Sequence, residues 1–544
     1  METHADLIAA EDVLQFVNAA ITSSGQREFR SDAAEQHMSL DFLHEYVRVN
    51  YRELYAATLA LDINDHNAAR IVERLLVTAG EVGAEQRRAE GRLIAARLAV
   101  LPPQRVYRLF GAVRRAGVNN RRTRAIMRDW IAARPDAGFD AVKYRSGFKA
   151  VARHVHLPFD RDRDRDGDGG GSGGGHSHGS GDTGSASNRH PAELGDFLFA
   201  PRTRIRYEHP LLDTFRRAHY EQGALYRLPF TVAEGFAAKH GIPRKVFLER
   251  IAPRMTRRER LRLQGSAQAH KADVAVDLAA MPLTRLASYV LSLDLDTRAA
   301  RRAELTDALR AAARRVAGPH AGTWGRVAAV LDDSFSASGS GQKRRRPLAV
   351  ALACHFLLAE LADRDEQSQP AERATGYVPL WTSGRTDPLL TYPYGATPLG
   401  TRILDALDHS PARLVIVSDG WDNAPPGLAG EVLRVWRTRL DPDRRTSVVH
   451  LNPVYDAADF DVRRLAPSVP TAGVRDAEDL PALVELAQFA EGRTGLAELR
   501  AYMDNRVSIF TGADRAQTAD AETIGAQTST TRTADTSSAE KTTP

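Results

Sequence analysis

The sequence predicts two fold classes in one chain: an all-α helical part followed by an α/β part with a doubly wound parallel sheet. Three observations carry this. Apolar residues recur at three- and four-residue spacing through the first three hundred positions. Beyond Gly322 short apolar runs of strand length alternate with helical stretches. Between the two halves of the helical part lies a segment whose composition cannot build a core. At 544 residues the chain is too long for a single core.

Residues 1–158 read as successive helices. Phe42, Leu43, Tyr46 and Val47, then Leu54, Tyr55, Thr58 and Leu59, then Ala69, Ile71, Val72, Leu75 and Leu76 form apolar stripes. Leu101-Pro102-Pro103 stops one helix, and Val106, Leu109, Phe110 and Val113 belong to the next. Short helices punctuated by Gly, Pro and Asn predict stacked helix pairs of the HEAT-like, helical-repeat kind. Residues 159–190 run from alternating Asp and Arg into Gly, Ser and His, and predict a flexible linker. Asp162, Asp164, Asp166 and Gly167 imitate the start of an EF-hand, but the twelfth position is Gly173 where a bidentate Glu is required.

Helical patterning returns over 191–318, with a helical hairpin around Gly241-Ile242-Pro243 and helices through Leu286–Leu293 and Leu305–Ala312. Residues 319–511 then predict a strand at 327–332, a helix over 348–361 and strands at 375–381, 414–419 and 446–451. Helices are expected over 428–440 and 480–490. Runs this apolar suit a parallel sheet covered on both faces. The Thr/Ala/Ser/Asp tail, 512–544, is expected to be disordered.

Lys and Arg number 74 against 69 Asp and Glu, so the net charge is only +5 and the distribution matters more than the sum. The single cysteine, Cys354, excludes an internal disulfide or a multi-cysteine zinc site and reads as a small buried hydrophobe. Met1 to Asp6 lacks the basic and apolar regions of a signal peptide, and no run nears the ~18 apolar residues of a membrane span. The expectation is a cytoplasmic protein that does not engage membranes. No phosphate-binding loop, His-Glu-x-x-His or Gly-x-Ser-x-Gly motif is present, and Ser334 and Ser336 have no general base near them in sequence. The chain therefore reads as a binding protein and not an enzyme.

Two groups of residues stand out. The first is Asp332-Asp333-Ser334-Phe335-Ser336 after the run Val327 to Leu331, with Gly395-Ala396-Thr397 opening a helical stretch and Ser418-Asp419-Gly420 following Leu414 to Val417. Carboxylate and hydroxyl oxygens delivered beside strand ends are what a small hard cation such as Mg²⁺ needs, and that ion readily keeps a position for an outside ligand. This constellation resembles the metal-ion-dependent adhesion site of von Willebrand factor A domains. The resemblance implies Asp332, Ser334, Ser336, Thr397 and Asp419 as ligands of a divalent metal ion, directly or through water. Asp422, just beyond, is expected in a solvated loop.

The second group is basic: Arg121, Arg122 and Arg124, then Lys143-Tyr144-Arg145-Ser146-Gly147-Phe148-Lys149, then Arg153-His154-Val155-His156-Leu157-Pro158. Arginine offers fixed donors to phosphate and a plane that stacks on bases, and Tyr144, Phe148 and His154 are expected to add stacking surfaces. The run from Lys143 to Pro158 resembles a segment of TROVE domains. Joined to a von Willebrand A domain, that is the architecture of the Ro autoantigen family. Here the family's aromatic-His-Lys group reads Phe148-Lys149 and its Lys-Pro reads Leu157-Pro158.

The resemblance implies helical repeats closed into a ring, a single chain that is complete as a monomer, small structured non-coding RNA bound outside it and misfolded RNA ends in its cavity. It implies RNA contacts at Lys149, Arg153 and one of His154 or His156, with Lys143 and Arg145 nearby. Arg121, Arg122 and Arg124 are added from their charge and spacing. An exonuclease or another protein is the partner expected at the metal site. Arg254, Arg257, Arg258, Arg260 and Arg262 read either as the lining of a ring or, by preference, as a solvated helix. Lys343-Arg344-Arg345-Arg346 reads either as an attractor of acidic partners or RNA, or as a solvated helix start. The competing reading is a von Willebrand A adaptor that captures a protein such as an AAA+ ATPase, with the helical half as scaffold. A third is a structural subunit with a degenerate metal site.

Overall fold

A computed structural model describes residues 3–29, 32–159, 191–201, 205–272, 274, 277–278, 280–363, 376–467, 469–480 and 495–512. The chain is mostly helical, with one parallel five-stranded sheet in its C-terminal part. It divides into two compact units, one of Met1–Leu75, Ala79–Val100 and His320–Pro544, the other of Leu76–Thr78 and Leu101–Pro319. No helix among the described residues is long and apolar enough to cross a membrane.

The first unit opens with α1 (His4–Thr22), α2 (Ala33–Asn50), α3 (Arg52–Ala57), α4 (Asp65–Val77) and α5 (Ala84–Val100). Asp32 caps α2 by accepting the N–H groups of Ala34 and Glu35. Val13, Phe16 and Val17 of α1 are buried. Phe16 meets the rings of His44 and Tyr55 at 5.1 and 5.2 Å.

The second unit holds α6 (Pro103–Arg115), α7 (Arg121–Ala132), α8 (Ala137–Lys143), α9 (Arg145–His154), α10 (Pro191–Phe199), α11 (Pro210–Arg217), α12 (Phe230–Lys239), α13 (Arg244–Ile251), α14 (Arg257–Arg262), α15 (Gln264–Ala269), α16 (Leu283–Ser292), α17 (Leu295–Ala300) and α18 (Arg302–Ala317). The hairpin expected at Gly241 is α12 and α13, and the helices expected near 286 and 305 are α16 and α18. Asn120 caps α7 through the N–H of Thr123, and Asp136 caps α8 through that of Phe139.

The C-terminal part of the first unit then alternates as expected. It runs β1 (Val327–Leu331), α19 (Arg346–Leu361), β2 (Tyr377–Trp381), α20 (Leu399–Asp408), β3 (Arg413–Val417), α21 (Leu428–Val435) and β4 (Ser447–Asn452). A short antiparallel pair, β5 (Tyr455–Asp456) and β6 (Asp461–Val462), precedes β7 (Thr471–Gly473) and α22 (Leu496–Thr511). The helix expected over 428–440 ends at Val435 and continues as one π turn, Trp436–Leu440. Beyond Leu480, the helix expected over 480–490 lies outside the described residues, as do Thr375, positions 160–190 and 513–544.

The sheet order is β2-β1-β3-β4-β7, all parallel. Ala328 and Val330 of β1, Leu414 and Ile416 of β3 and Val448 of β4 share a core with Leu399 and Ile403 of α20 and Leu433 of α21. Most α19 residues, Cys354 among them, are buried without joining that cluster. At the far edge Asn18 of α1 accepts the N–H of Gly473 in β7, so the first helix of the chain packs against the last strand of the sheet.

Candidate functional site

Strand order and register create the first site. β1 lies between β2 and β3, so the chain leaves β1 to one side and returns to the other. That is a topological switch point, where ligands bind outside the carboxyl ends of strands. Leu331 is opposite Val417, so the residues after β1 and β3 emerge side by side. The N–H of Asp332 donates to the carbonyl of Val417 at 3.0 Å.

From there the loop after β1 folds back on itself. The Ser334 N–H donates to Asp332 Oδ1 at 2.9 Å, and the Ser334 and Ser336 hydroxyls lie 3.2 Å apart. Ser418 Oγ donates to Asp332 Oδ2 at 2.8 Å. The Phe335 N–H donates to the Gly395 carbonyl, which draws in the loop carrying Thr397. Thr397 is fixed in turn, its N–H donating to Asn423 Oδ1 at 2.8 Å. The Trp421 N–H donates to Asp419 Oδ1 at 3.1 Å. Gly420, beside Asp419, sits at φ +81°, and a side chain there would meet the Arg463 carbonyl at 2.8 Å.

Asp332, Ser334, Ser336, Thr397 and Asp419 are all buried, each under 7% exposed. Burial, and after it the nearby charge of Asp419, push the Asp332 carboxyl up to about 7. Two carboxylates and three hydroxyls are thus carried on loops tied to one another, a donor set of oxygens alone, of the type a hard cation takes. No cluster of three or more His, Cys, Asp or Glu side chains placed to hold a metal occurs among the described residues. The acidic donors here number only two.

Three participants were not singled out from the sequence. Asp333 is fully buried and accepts Thr382 Oγ1 at 2.8 Å, Ser383 Oγ at 2.6 Å and Arg385 at 3.2 Å. It ties the loop after β1 to the loop after β2. Ser418 holds Asp332, and Asn452 Nδ2 holds the Asp419 carbonyl at 3.1 Å. Their only sequence signal is their place at strand ends. Asp422 is not a solvated loop residue: its carboxylate accepts the N–H of Ala429 at 2.7 Å, early in α21.

The second site lies in the second unit, on α9. Phe148, Val151, Ala152 and Val155 are buried at helical spacing, and Arg145, Lys149 and Arg153 form a row beside that face at four-residue intervals. Each of these cations lies over an aromatic ring from beyond the Gly/Ser segment. Arg145 lies 4.5 Å from Phe197 and 5.6 Å from Phe215; Lys149 and Arg153 lie 5.5 and 5.2 Å from Phe199. Lys143 stands over Phe139 and Tyr144 at the end of α8.

Phe148 is the clear departure. Fully buried and 6.0 Å from the ring of Tyr107, it offers no stacking surface, because its position in the helix turns it inward. Tyr144 likewise packs on Tyr107 at 5.6 Å. His154 is half-buried, and burial followed by the charges of Arg114 and Arg124 lowers its pKa. This brings Arg124 near His154. Arg121 is exposed at the start of α7, and Arg122 is half-buried. His156 is exposed, with a left-handed φ of 50°.

Two further basic groups resolve differently. Arg254, Arg257, Arg258 and Arg262 are exposed, as a solvated face requires. In the run after the β1 loop, Lys343 pairs with Glu28, and Arg346 bonds Asp476 at 2.6 Å and the Arg475 carbonyl. Two of those four cations are therefore engaged in ion pairs within the first unit. No protein-family model matches this chain, and no curated protein matches it.

Proposed function

We propose that this protein is an RNA-binding ribonucleoprotein component of the kind that the Ro family resemblance implies. A TROVE-like region of helical repeats binds small structured non-coding RNA and the ends of misfolded RNA. A von Willebrand A-like domain holds Mg²⁺ through Asp332, Ser334, Ser336, Thr397 and Asp419. The observation that carries this reading is the α9 face, where Arg145, Lys149 and Arg153 align at one-turn spacing over aromatic rings. Lys149 and Arg153 form no ion pair among the described residues, which leaves their charge for phosphate.

Purifying the protein from its own cells in moderate salt and sequencing the RNA that accompanies it tests the proposal. A dominant small structured RNA, lost on Lys149→Glu with Arg153→Glu, supports it. Trace heterogeneous RNA refutes it. Affinity should also fall steeply with salt, since neutralised phosphates release counterions.

A second reading rests on the other site. Five buried oxygen donors at a switch point, with Phe335 and Tyr394 standing 63% and 65% exposed on the adjoining loops, suit capture of a protein partner. A bound Mg²⁺ supplies an open coordination position for a partner's carboxylate. Under this adaptor reading Asp332→Ala abolishes partner capture and leaves RNA binding alone. Both roles are binding roles, with no catalysis by the chain itself.

A further inference from the structure

Beside α9 the second unit contains a cavity of about 360 Å³, within the range that small ligands occupy. Arg145, Phe197, Tyr207, Phe215, His219 and Tyr220 line it. Their rings stand edge to face: Phe197 meets Phe215 at 5.2 Å and 82°, and Phe215 meets His219 at 5.4 Å and 77°. Phe197 and Tyr207 are buried and form a rigid floor, while Tyr220 stands at the mouth, 82% exposed.

Arg145 is the informative member. It donates to the Phe197 carbonyl at 2.7 Å and lies over two rings, yet it forms no ion pair among the described residues. Burial lowers its pKa, opposed in part by the Tyr207 hydroxyl. A half-buried guanidinium without a counter-ion is costly, and an anionic ligand removes the cost. Arg216, at the same cavity, is already held by Asp213 at 2.9 Å. Burial, then the charges of Lys239 and Arg145, lower the pKa of His219, which favours the neutral ring that can both donate and accept at the edge of a base. One and two turns further along α9, Lys149 and Arg153 continue the positive track.

We propose that this cavity binds one unpaired nucleotide, its base stacked among the aromatic rings at Tyr220 and its phosphate on Arg145. Aromatic rings accept any base through its flat face, and a cation beside them accepts the phosphate, which is how single strands are held. A paired base has both faces covered by its neighbours and does not enter. The inference rests on the RNA-binding reading and refines it by assigning a site for single-stranded nucleotides. Free nucleotides share this chemistry, and the test separates them.

The experiment uses the full chain and three probes: a labelled ten-nucleotide oligouridylate, a blunt RNA hairpin, and free UMP and AMP. Tyr220→Ala should weaken oligouridylate binding by about ten-fold, the effect of one base–aromatic stack, and leave the hairpin unchanged. Arg145→Gln should weaken oligouridylate binding to a similar extent, and 5-iodouridine in the strand should cross-link to Tyr220 on irradiation. If UMP or AMP displaces the strand at micromolar concentration, the occupant is a free nucleotide; if only the strand binds, it is unpaired RNA. Should both variants bind the oligouridylate as the native chain does, while Lys149→Glu with Arg153→Glu abolishes binding, the cavity assignment is overturned and the RNA reading stands. Should no RNA bind the native chain at low salt, the RNA reading falls; the cavity assignment then falls too unless UMP or AMP binds in a Tyr220-dependent way.

Discussion

Acidification should weaken the first unit through one histidine. His450 in β4 is fully buried, with Nε2 donating to the Ser418 carbonyl at 3.1 Å and Nδ1 3.3 Å from Thr471 Oγ1. A carbonyl only accepts, so Nε2 carries the proton and the ring is neutral. Burial pushes its pKa from the ordinary 6.5 down to about 4. A depressed folded-state pKa means that the stability it contributes is complete above pH 6.5 and is lost as the pH falls through 4. At 1.36 kcal/mol for each unit between those values, the full loss is about 3 kcal/mol, with about 2 kcal/mol gone by pH 4.5. Because the ring bonds the residue that holds Asp332, the loss falls on the framework of the candidate metal site.

The assay is urea unfolding at pH 7, 6, 5 and 4.5, followed by circular dichroism for the native chain and for His450→Gln. The variant will be less stable at pH 7, so only the slopes are compared. Native stability should fall by about 2 kcal/mol more than that of the variant across this range. Equal slopes would refute the reasoning, since buried Asp461 and His44 titrate alike in both chains.

Mg²⁺ at one hundred times its dissociation constant should stabilise the native chain by about 2.7 kcal/mol, read as a rise in Tm, and Asp332→Ala should abolish the rise. Lys343→Ala should cost about 3–5 kcal/mol, because it strands Glu28, whose carboxyl burial already drives upward. Adding Glu28→Gln should recover much of that loss in chemical denaturation. Gly473→Ala should cost about 1–3 kcal/mol, since its new methyl would lie 2.8 Å from the Asn18 carbonyl and 2.7 Å from Thr22 Cγ2.

The sequence by itself determined the alternation of elements after Gly322, because parallel strands buried on both faces must be continuous apolar runs and those runs are visible one at a time. It also determined that Asp332 and Asp419 each follow such a run, and that Cys354 is buried. A strand as short as β7, at three residues, leaves too little pattern to read, and α1 says nothing of the sheet it packs on.

Only the tertiary structure decided that register sets Asp332 beside Ser418 and Asp419, and that Asp333 binds the neighbouring loop instead of facing the site. It alone turned Phe148 inward and gave Lys343 and Arg346 to ion pairs. It alone brought Arg145 to Phe197 and Phe215 across the Gly/Ser segment. The physical reason is one of range. Periodicity and turn chemistry act over a few residues, whereas the partner of a charge or a ring is set by surfaces distant in the chain that meet only when it folds.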